Sequence, residues 1–181
     1  PKKGYTAIIG GAKVSSKIIV IEQLLKKVDK LVIGGAMAYT FIKAQGGKVG
    51  DSMVEEEYID TAKKVMEAAA KNDTEIILPV DSVNGDAFKA DANTQVTPAD
   101  AIEAGWMGMD IGPETLTRLG DIISKSKTIL WNGPVGVFEM EKFARGTFGI
   151  AQMIADATGK GLYSLVGGGD SVSALNKSGL A

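Results

Sequence analysis

Lys13 and Lys17 stand four residues apart at the start of a helical pattern, directly behind Gly10-Gly11-Ala12. On a helix that spacing puts both ammonium groups on one face. Like charges there repel by roughly 0.2–0.5 kcal/mol, and each cation at a helix N-terminus opposes the dipole by roughly 0.3–1 kcal/mol. An anion bound at the glycines reverses both signs, so the pair points to a phosphate-bearing ligand. Two solvated surface lysines are the plain alternative. The same junction, an apolar β-type run that ends in glycine before a helical pattern, recurs at Leu31-Val32-Ile33-Gly34-Gly35, at Ile129-Leu130-Trp131-Asn132-Gly133 and at Leu165-Val166-Gly167-Gly168-Gly169-Asp170. In an open parallel sheet such junctions gather on one edge, where ligands bind, and glycine lets a ligand approach bare backbone.

The other candidates are weaker alone. Gly167-Gly168-Gly169 can form an anion-binding nest of backbone amides. Asp170 suits either of two roles: the N-cap of a helix over 171–177, worth about 1 kcal/mol, or a carboxylate for Mg²⁺ carried on nucleotide phosphates. Glu139 follows the rigid turn Asn132-Gly133-Pro134-Val135-Gly136 and is either a first-turn acid or a partner for ribose hydroxyls. Trp131 reads as core. No Walker A loop is present, and neither Gly10-Gly11-Ala12 nor Gly34-Gly35-Ala36 has the G-x-G-x-x-G spacing of a dinucleotide fingerprint.

Composition narrows the chemistry. The chain has 181 residues, suited to one domain, with 45% hydrophobic and 23% charged residues and 23 glycines. A net charge of −2 without a basic stripe argues against nucleic acid, and no apolar run reaches the roughly 20 residues that span a membrane. Cysteine and histidine are both absent. That removes disulfides, thiolate zinc sites and the Ser-His-Asp triad. Chemistry here must rest on lysines, carboxylates, backbone amides and a hard metal ion. The start, Pro1-Lys2-Lys3-Gly4-Tyr5, reads as a cut inside a longer chain.

The elements that must position these residues alternate. Strands are expected at 5–9, 30–33, 75–79, 128–131 and 162–166, and helices at 14–28, 37–43, 54–72, 113–126 and 141–158. This predicts an α/β fold: a doubly wound, mainly parallel open sheet with helices on both faces, three-layered and Rossmann-like. The stretch 81–112 breaks the rhythm. It reads either as a small β-rich excursion or as a ligand-contacting segment.

Taken in order, the motifs resemble those of the phosphoglycerate kinase family. They are Gly10-Gly11-Ala12-Lys13-Val14-Ser15-Ser16-Lys17-Ile18, Gly34-Gly35-Ala36-Met37-Ala38-Tyr39-Thr40-Phe41, Leu78-Pro79-Val80-Asp81, Trp106-Met107-Gly108-Met109-Asp110-Ile111-Gly112-Pro113, Trp131 through Glu139, and Gly167-Gly168-Gly169-Asp170-Ser171. The resemblance covers essentially the whole chain. It implies reversible phosphoryl transfer from 1,3-bisphosphoglycerate to ADP, giving 3-phosphoglycerate and ATP. It also implies that 1–181 is the nucleotide-binding carboxy-terminal lobe, without the basic amino-terminal lobe that holds phosphoglycerate and without the family's final glycine-rich segment.

By the same resemblance, Gly11, Ala12, Gly35 and Gly108 line the nucleotide pocket. Gly133, Pro134 and Val135 form another wall, with Asn132 near the phosphates and Glu139 on the ribose. Lys13 neutralises phosphate, and Lys17 follows the transferred group through the transition state. Gly167, Gly168 and Gly169 belong to the phosphate turn, the last two as amide donors with Gly168 counted among the catalytic groups. Asp170 holds Mg²⁺ and Ser171 touches phosphate. Ala36 departs from the third glycine common at its position. The implied ligands are ATP or ADP with Mg²⁺, and phosphoglycerate through the other lobe. A cytoplasmic monomer is expected, plastid members being known in the family, and 181 residues alone are expected to bind nucleotide without turnover. A non-catalytic nucleotide-binding module on the same fold is the alternative. In the ATP-consuming direction the acceptor is an ionised carboxylate, so no general base is needed and a site without histidine suffices.

Overall fold

The structure, a computed structural model, describes residues 2–167. Along the chain run β1 (Lys2–Ile9), α1 (Val14–Leu24), β2 (Val28–Ile33), α2 (Met37–Ala44), β3 (Lys48–Val49), α3 (Ile59–Lys71) and β4 (Glu75–Ile77). A second set follows: β5 (Asp81–Gly85), β6 (Thr94–Pro98), β7 (Ala101–Ile102), β8 (Met107–Ile111), α4 (Pro113–Lys125), β9 (Thr128–Asn132), α5 (Arg145–Thr158) and β10 (Tyr163–Gly167).

The main sheet has the order β10-β9-β1-β2-β4, and every pairing is parallel. Its central strands β1 and β2 are buried on both faces, so alternate residues enter opposite layers. Ala7, Ile9, Leu31 and Ile33 pack with Val14, Ile21 and Leu24 of α1, Met37 and Phe41 of α2, and Ala62 and Val65 of α3. Ile8, Val32, Ile129 and Trp131 pack with Leu119 and Ile123 of α4 and Ile150 and Ile154 of α5. The doubly wound, three-layer α/β expectation is therefore met.

The strand order places a topological switch point between β1 and β9. From β1 the chain steps outward to β2 and β4, then returns to the far side of β1 for β9 and β10. Register aligns the carboxyl ends: Ile9 pairs with Ile33 and with Asn132, and Asn132 pairs with Gly167. The glycine junctions that follow therefore emerge level on one edge.

Several boundaries shift from the sequence reading. α1 ends at Leu24, and Val28 opens β2 instead of closing the helix. Leu24, Leu25 and Val28 all enter the same core layer, so the apolar spacing continued through the turn. α3 starts at Ile59 behind a 3-10 turn at Glu56–Tyr58, and α5 at Arg145 behind another at Glu141–Phe143. β4 stops at Ile77, before Leu78 and Pro79.

The stretch 81–112 is β-rich. β6, β5 and β8 form an antiparallel sheet, and β7 pairs with β3. Asp81 anchors it to the next helix. Its carboxylate accepts the N–H groups of Glu114 and Thr115 at 2.9 Å each, and the Thr115 hydroxyl as well. The N-cap residue of α4, Gly112, has no side chain to do this, so the cap arrives from β5.

Candidate functional site

The turns that follow β1, β2 and β9 close directly on one another at the switch point. The Gly10 amide donates to Asn132 O at 2.8 Å, and the Gly11 amide to Pro134 O at 3.1 Å. A Cβ on Gly10 would fall on the carbonyls of Gly133 and Pro134, and one on Gly35 would fall on the backbone of Gly11. Gly35 and Gly133 also have φ of 73° and 96°, which glycine alone adopts cheaply. These glycines are needed first so that backbone can touch backbone, a role the sequence reading had given to ligand approach.

A cleft of about 200 Å³ opens beside the junction. Gly11, Ala12, Gly35, Gly108, Pro134, Val135 and Glu139 all border it, as the sequence predicts. Their wall comes from four places: the β1–α1 turn, the β2–α2 turn, β8 and the turn after β9. Gly108 lies on the Tyr39 ring, where a Cβ would strike the phenol. Its amide donates to Ser52 Oγ at 2.8 Å. Tyr39 Oη and Ser82 Oγ are 2.6 Å apart, and burial pushes the Tyr39 phenol far above its ordinary value. The 81–112 stretch thus both forms its own sheet and supplies one side of the cleft.

Lys13, Lys17, Asn132 and Gly133 do not border the cleft. Lys17, in the first turns of α1, donates from Nζ to Asn132 Oδ1 at 2.8 Å. Gly167 pairs with that same Asn132 in the sheet, while Gly133 continues the turn. Lys13 is exposed and is the cap residue of α1, with extended backbone at φ −127° and ψ 128°. It precedes the helix, so helical spacing does not put it on one face with Lys17, a correction to the sequence argument. The first turn of α1 contains no acidic residue. Instead Glu55 reaches in from the loop after β3. Its carboxylate accepts the Ser15 N–H at 3.2 Å and the Ser15 hydroxyl at 2.7 Å. The positive end of α1 is thereby partly satisfied by a residue that no local pattern marks. Gly168, Gly169, Asp170 and Ser171 lie outside the described residues.

Ala36, the departure from the family's third glycine, also borders the cleft, as do Tyr39, Met109, Asp110, Gly136 and Val137, for which the sequence suggests no site role. Asp110 stands out because it is 1% exposed. The Gly146 and Ile111 amides donate to its carboxylate at 2.9 Å each, and burial pushes it up to about 8. Trp131 is core, as expected, and its indole N–H donates to Gly133 O at 2.8 Å.

The family model for phosphoglycerate kinase matches residues 1–181. The chain belongs to the phosphoglycerate kinase family. It is 52% identical over its full length to the cytosolic phosphoglycerate kinase of Triticum aestivum and 53% to that of Nicotiana tabacum, covering 45% of each. A chloroplastic phosphoglycerate kinase of Arabidopsis thaliana is 49% identical, with 38% of its length covered. Among solved structures, the phosphoglycerate kinase of Coxiella burnetii superposes with a TM-score of 0.94 at 43% identity, over 99% of this chain and 46% of that one. The enzyme of Pyrococcus horikoshii gives 0.82 at 28% identity, over 97% and 44%. The chain thus spans between 38% and 46% of the length of those relatives. Among its described residues, no helix is long and apolar enough to cross a membrane, and no group of three or more carboxylates could cage a metal ion.

Proposed function

We propose that this chain is the nucleotide-binding half of a phosphoglycerate kinase, and that the whole protein transfers a phosphoryl group reversibly between 1,3-bisphosphoglycerate and ADP. The observation that carries this reading is the Lys17–Asn132 pair at the switch point, level with three glycine turns. The partner of Lys17 is a neutral amide, and no described carboxylate forms an ion pair with it. Its positive charge is oriented but not cancelled, which suits an anion that moves during reaction.

Phosphoryl transfer depends on positioning and charge neutralisation. The base and ribose would lie in the cleft between Gly35, Gly108 and the 133–136 turn, with Glu139 at the ribose. The phosphates would then run toward Lys13, Lys17 and Asn132, and onward to Gly168, Gly169 and Ser171. Mg²⁺ would arrive on the phosphates and add charge neutralisation there. Such an ion keeps several waters and needs only one or two carboxylates, so the lack of a carboxylate cage among the described residues is compatible with it. Asp170, outside those residues, is the candidate ligand. A monomer in the cytosol is the accompanying reading; the wheat and tobacco relatives are named cytosolic, and the chloroplastic relative keeps a plastid as the alternative.

Calorimetric titration of the 181-residue chain with MgADP and, separately, with NAD tests the site. Saturable binding of ADP alone is expected, and a coupled assay should show no phosphoglycerate turnover by this chain. Equal binding of NAD, or no binding of ADP, overturns the nucleotide reading. Near-normal turnover overturns the half-site reading.

A further inference from the structure

The turn after β9 is a wall of the cleft, and it is tied to its neighbours at several points, among them the Gly11 amide on Pro134 O at 3.1 Å and the Val135 amide on Thr147 Oγ1 at 3.2 Å. Residues 133–139 include two glycines and a proline and form no helix or strand. Two attachments fix it to β8. The Val137 amide donates to Met109 O at 2.9 Å. One residue on, the Asp110 carboxylate lies against the turn, and a Cβ on Gly136 would fall on its Oδ1. The same oxygen would be struck by a Cβ on Gly146. Gly146 also donates its amide to Oδ2 at 2.9 Å, while Ile111 donates to Oδ1 at 2.9 Å. One buried carboxylate therefore meets β8, the wall turn and the first turn of α5 together.

We propose that Asp110 is a positioning residue for the nucleotide cleft, setting the place of the 133–139 wall through Gly136 and Gly146 without touching the ligand's reacting atoms. This rests on the nucleotide reading of the cleft. A group used only as a helix cap would not need two glycines cleared around it. A buried carboxylate without an ion-pair partner is costly unless it is well hydrogen-bonded, and none of the described ion pairs includes Asp110.

Its surroundings define what titration would do. From α5, Arg145 favours the charged form, as do the Gly146 and Ile111 amides, while burial opposes it and wins, with the carboxyl at about 8. From α2 the Tyr39 phenol faces it, and Asp81 on β5 acts on that same phenol. Tyr39 is itself pushed up and stays protonated, so Asp110 is the group here that gains charge between pH 7 and 9. The charged form accepts the Ile111 and Gly146 amides more strongly, but burial outweighs this gain and disfavours it. The site favours the neutral carboxyl, so charging it costs stability and the wall is held less firmly as pH rises through that window.

The test compares the wild-type chain with Asp110→Asn, by MgADP titration at several pH values and by amide hydrogen exchange without ligand. Asp110→Asn should keep the fold, weaken ADP by about tenfold, and speed exchange at 133–139 and 145–147. The ratio of wild-type to variant affinity should shrink from pH 7 to pH 9 as the wild-type carboxyl ionises, whereas a group with no part in the cleft would give a flat ratio. If Asp110→Asn fails to fold, Gly136→Ala crowds the intact carboxylate and should loosen the same wall. Unchanged ADP affinity, or a ratio flat with pH, overturns the role of Asp110 while leaving the nucleotide site intact. A wild-type chain that binds no ADP overturns the reading of the site and this inference with it.

Discussion

Lys17 Nζ lies 2.8 Å from Asn132 Oδ1, although 115 residues separate them in the chain. The bond links the first turns of α1 to the end of β9 across the switch point. It aims a flexible lysine with a neutral group, and none of the described ion pairs includes Lys17.

Replacing Lys17 with alanine in the whole protein should lower kcat by about a hundredfold or more, the scale of losing one transition-state donor. ADP affinity should fall only a few-fold, because Lys13 and the backbone amides would still meet the phosphates. Asn132→Ala should shift kcat in the same direction but less, since Lys17 survives and is merely less well aimed. Steady-state kinetics with separate ADP titration decides the matter. Equal losses in kcat and affinity would assign Lys17 to ground-state binding.

At Gly35 an alanine should destabilise the chain by roughly 1–3 kcal/mol, from positive φ and from collision with the backbone of Gly11 together. Gly105 is the control. Its φ is 88°, but nothing lies within 4 Å of an added Cβ, so Gly105→Ala should show only the conformational part, about 1 kcal/mol. Urea unfolding of both variants measures the difference. Identical losses would mean that the turns separate easily, and that their contact does not shape the cleft.

Asp81→Ala should cost about 1–3 kcal/mol, because the Glu114 and Thr115 amides lose their acceptor at the buried start of α4. Asp81→Asn should recover part of this through its remaining carbonyl oxygen. Hydrogen exchange should show the loss concentrated at residues 113–116. A variant as stable as the parent would show that water or Gly112 replaces the cap.

Much of this architecture was legible in the chain. Strands buried on both faces read as continuous apolar runs, and Ile8 and Ile9 betray that without any contact information. Pro113, at the start of a clean helical period, located α4 almost to the residue. Where the reading erred, two periods overlapped. Val28 continues the spacing of α1, but it belongs to β2 because the same core layer accepts it from either element. The start of α1 at Val14 matches the sequence, but a shared face for Lys13 and Lys17 does not follow, because spacing does not reveal a cap residue's extended backbone.

The cleft was legible in part. Gly11, Ala12, Gly35, Gly108, Pro134, Val135 and Glu139 carry recognisable motifs, and the structure brings them around one cavity. Tyr39 and Asp110 lie inside those same motifs but had no local sign of a role. A tyrosine in an apolar helix and an aspartate before a turn have many ordinary uses. What distinguishes them is the Gly108 backbone against one and Gly136 and Gly146 against the other. Glu55 is less legible still, since its partner Ser15 is 40 residues away.

By itself the sequence determined the alternation of strands and helices, the glycine ends of the strands, the absence of any histidine or cysteine chemistry and the family resemblance. All of these are local or compositional, and short-range sterics and burial period write them directly into neighbouring residues. Only the tertiary structure decided the order β10-β9-β1-β2-β4, which joins the ends of β1 and β9 at the switch point. It alone decided that the glycines clear space for one another, that Asn132 aims Lys17, and that Glu55, Asp81 and Asp110 satisfy helix ends from distant segments. Each of these depends on which chain segments become neighbours. That choice is made by the packing of whole layers, to which no single stretch of sequence holds the complete pattern.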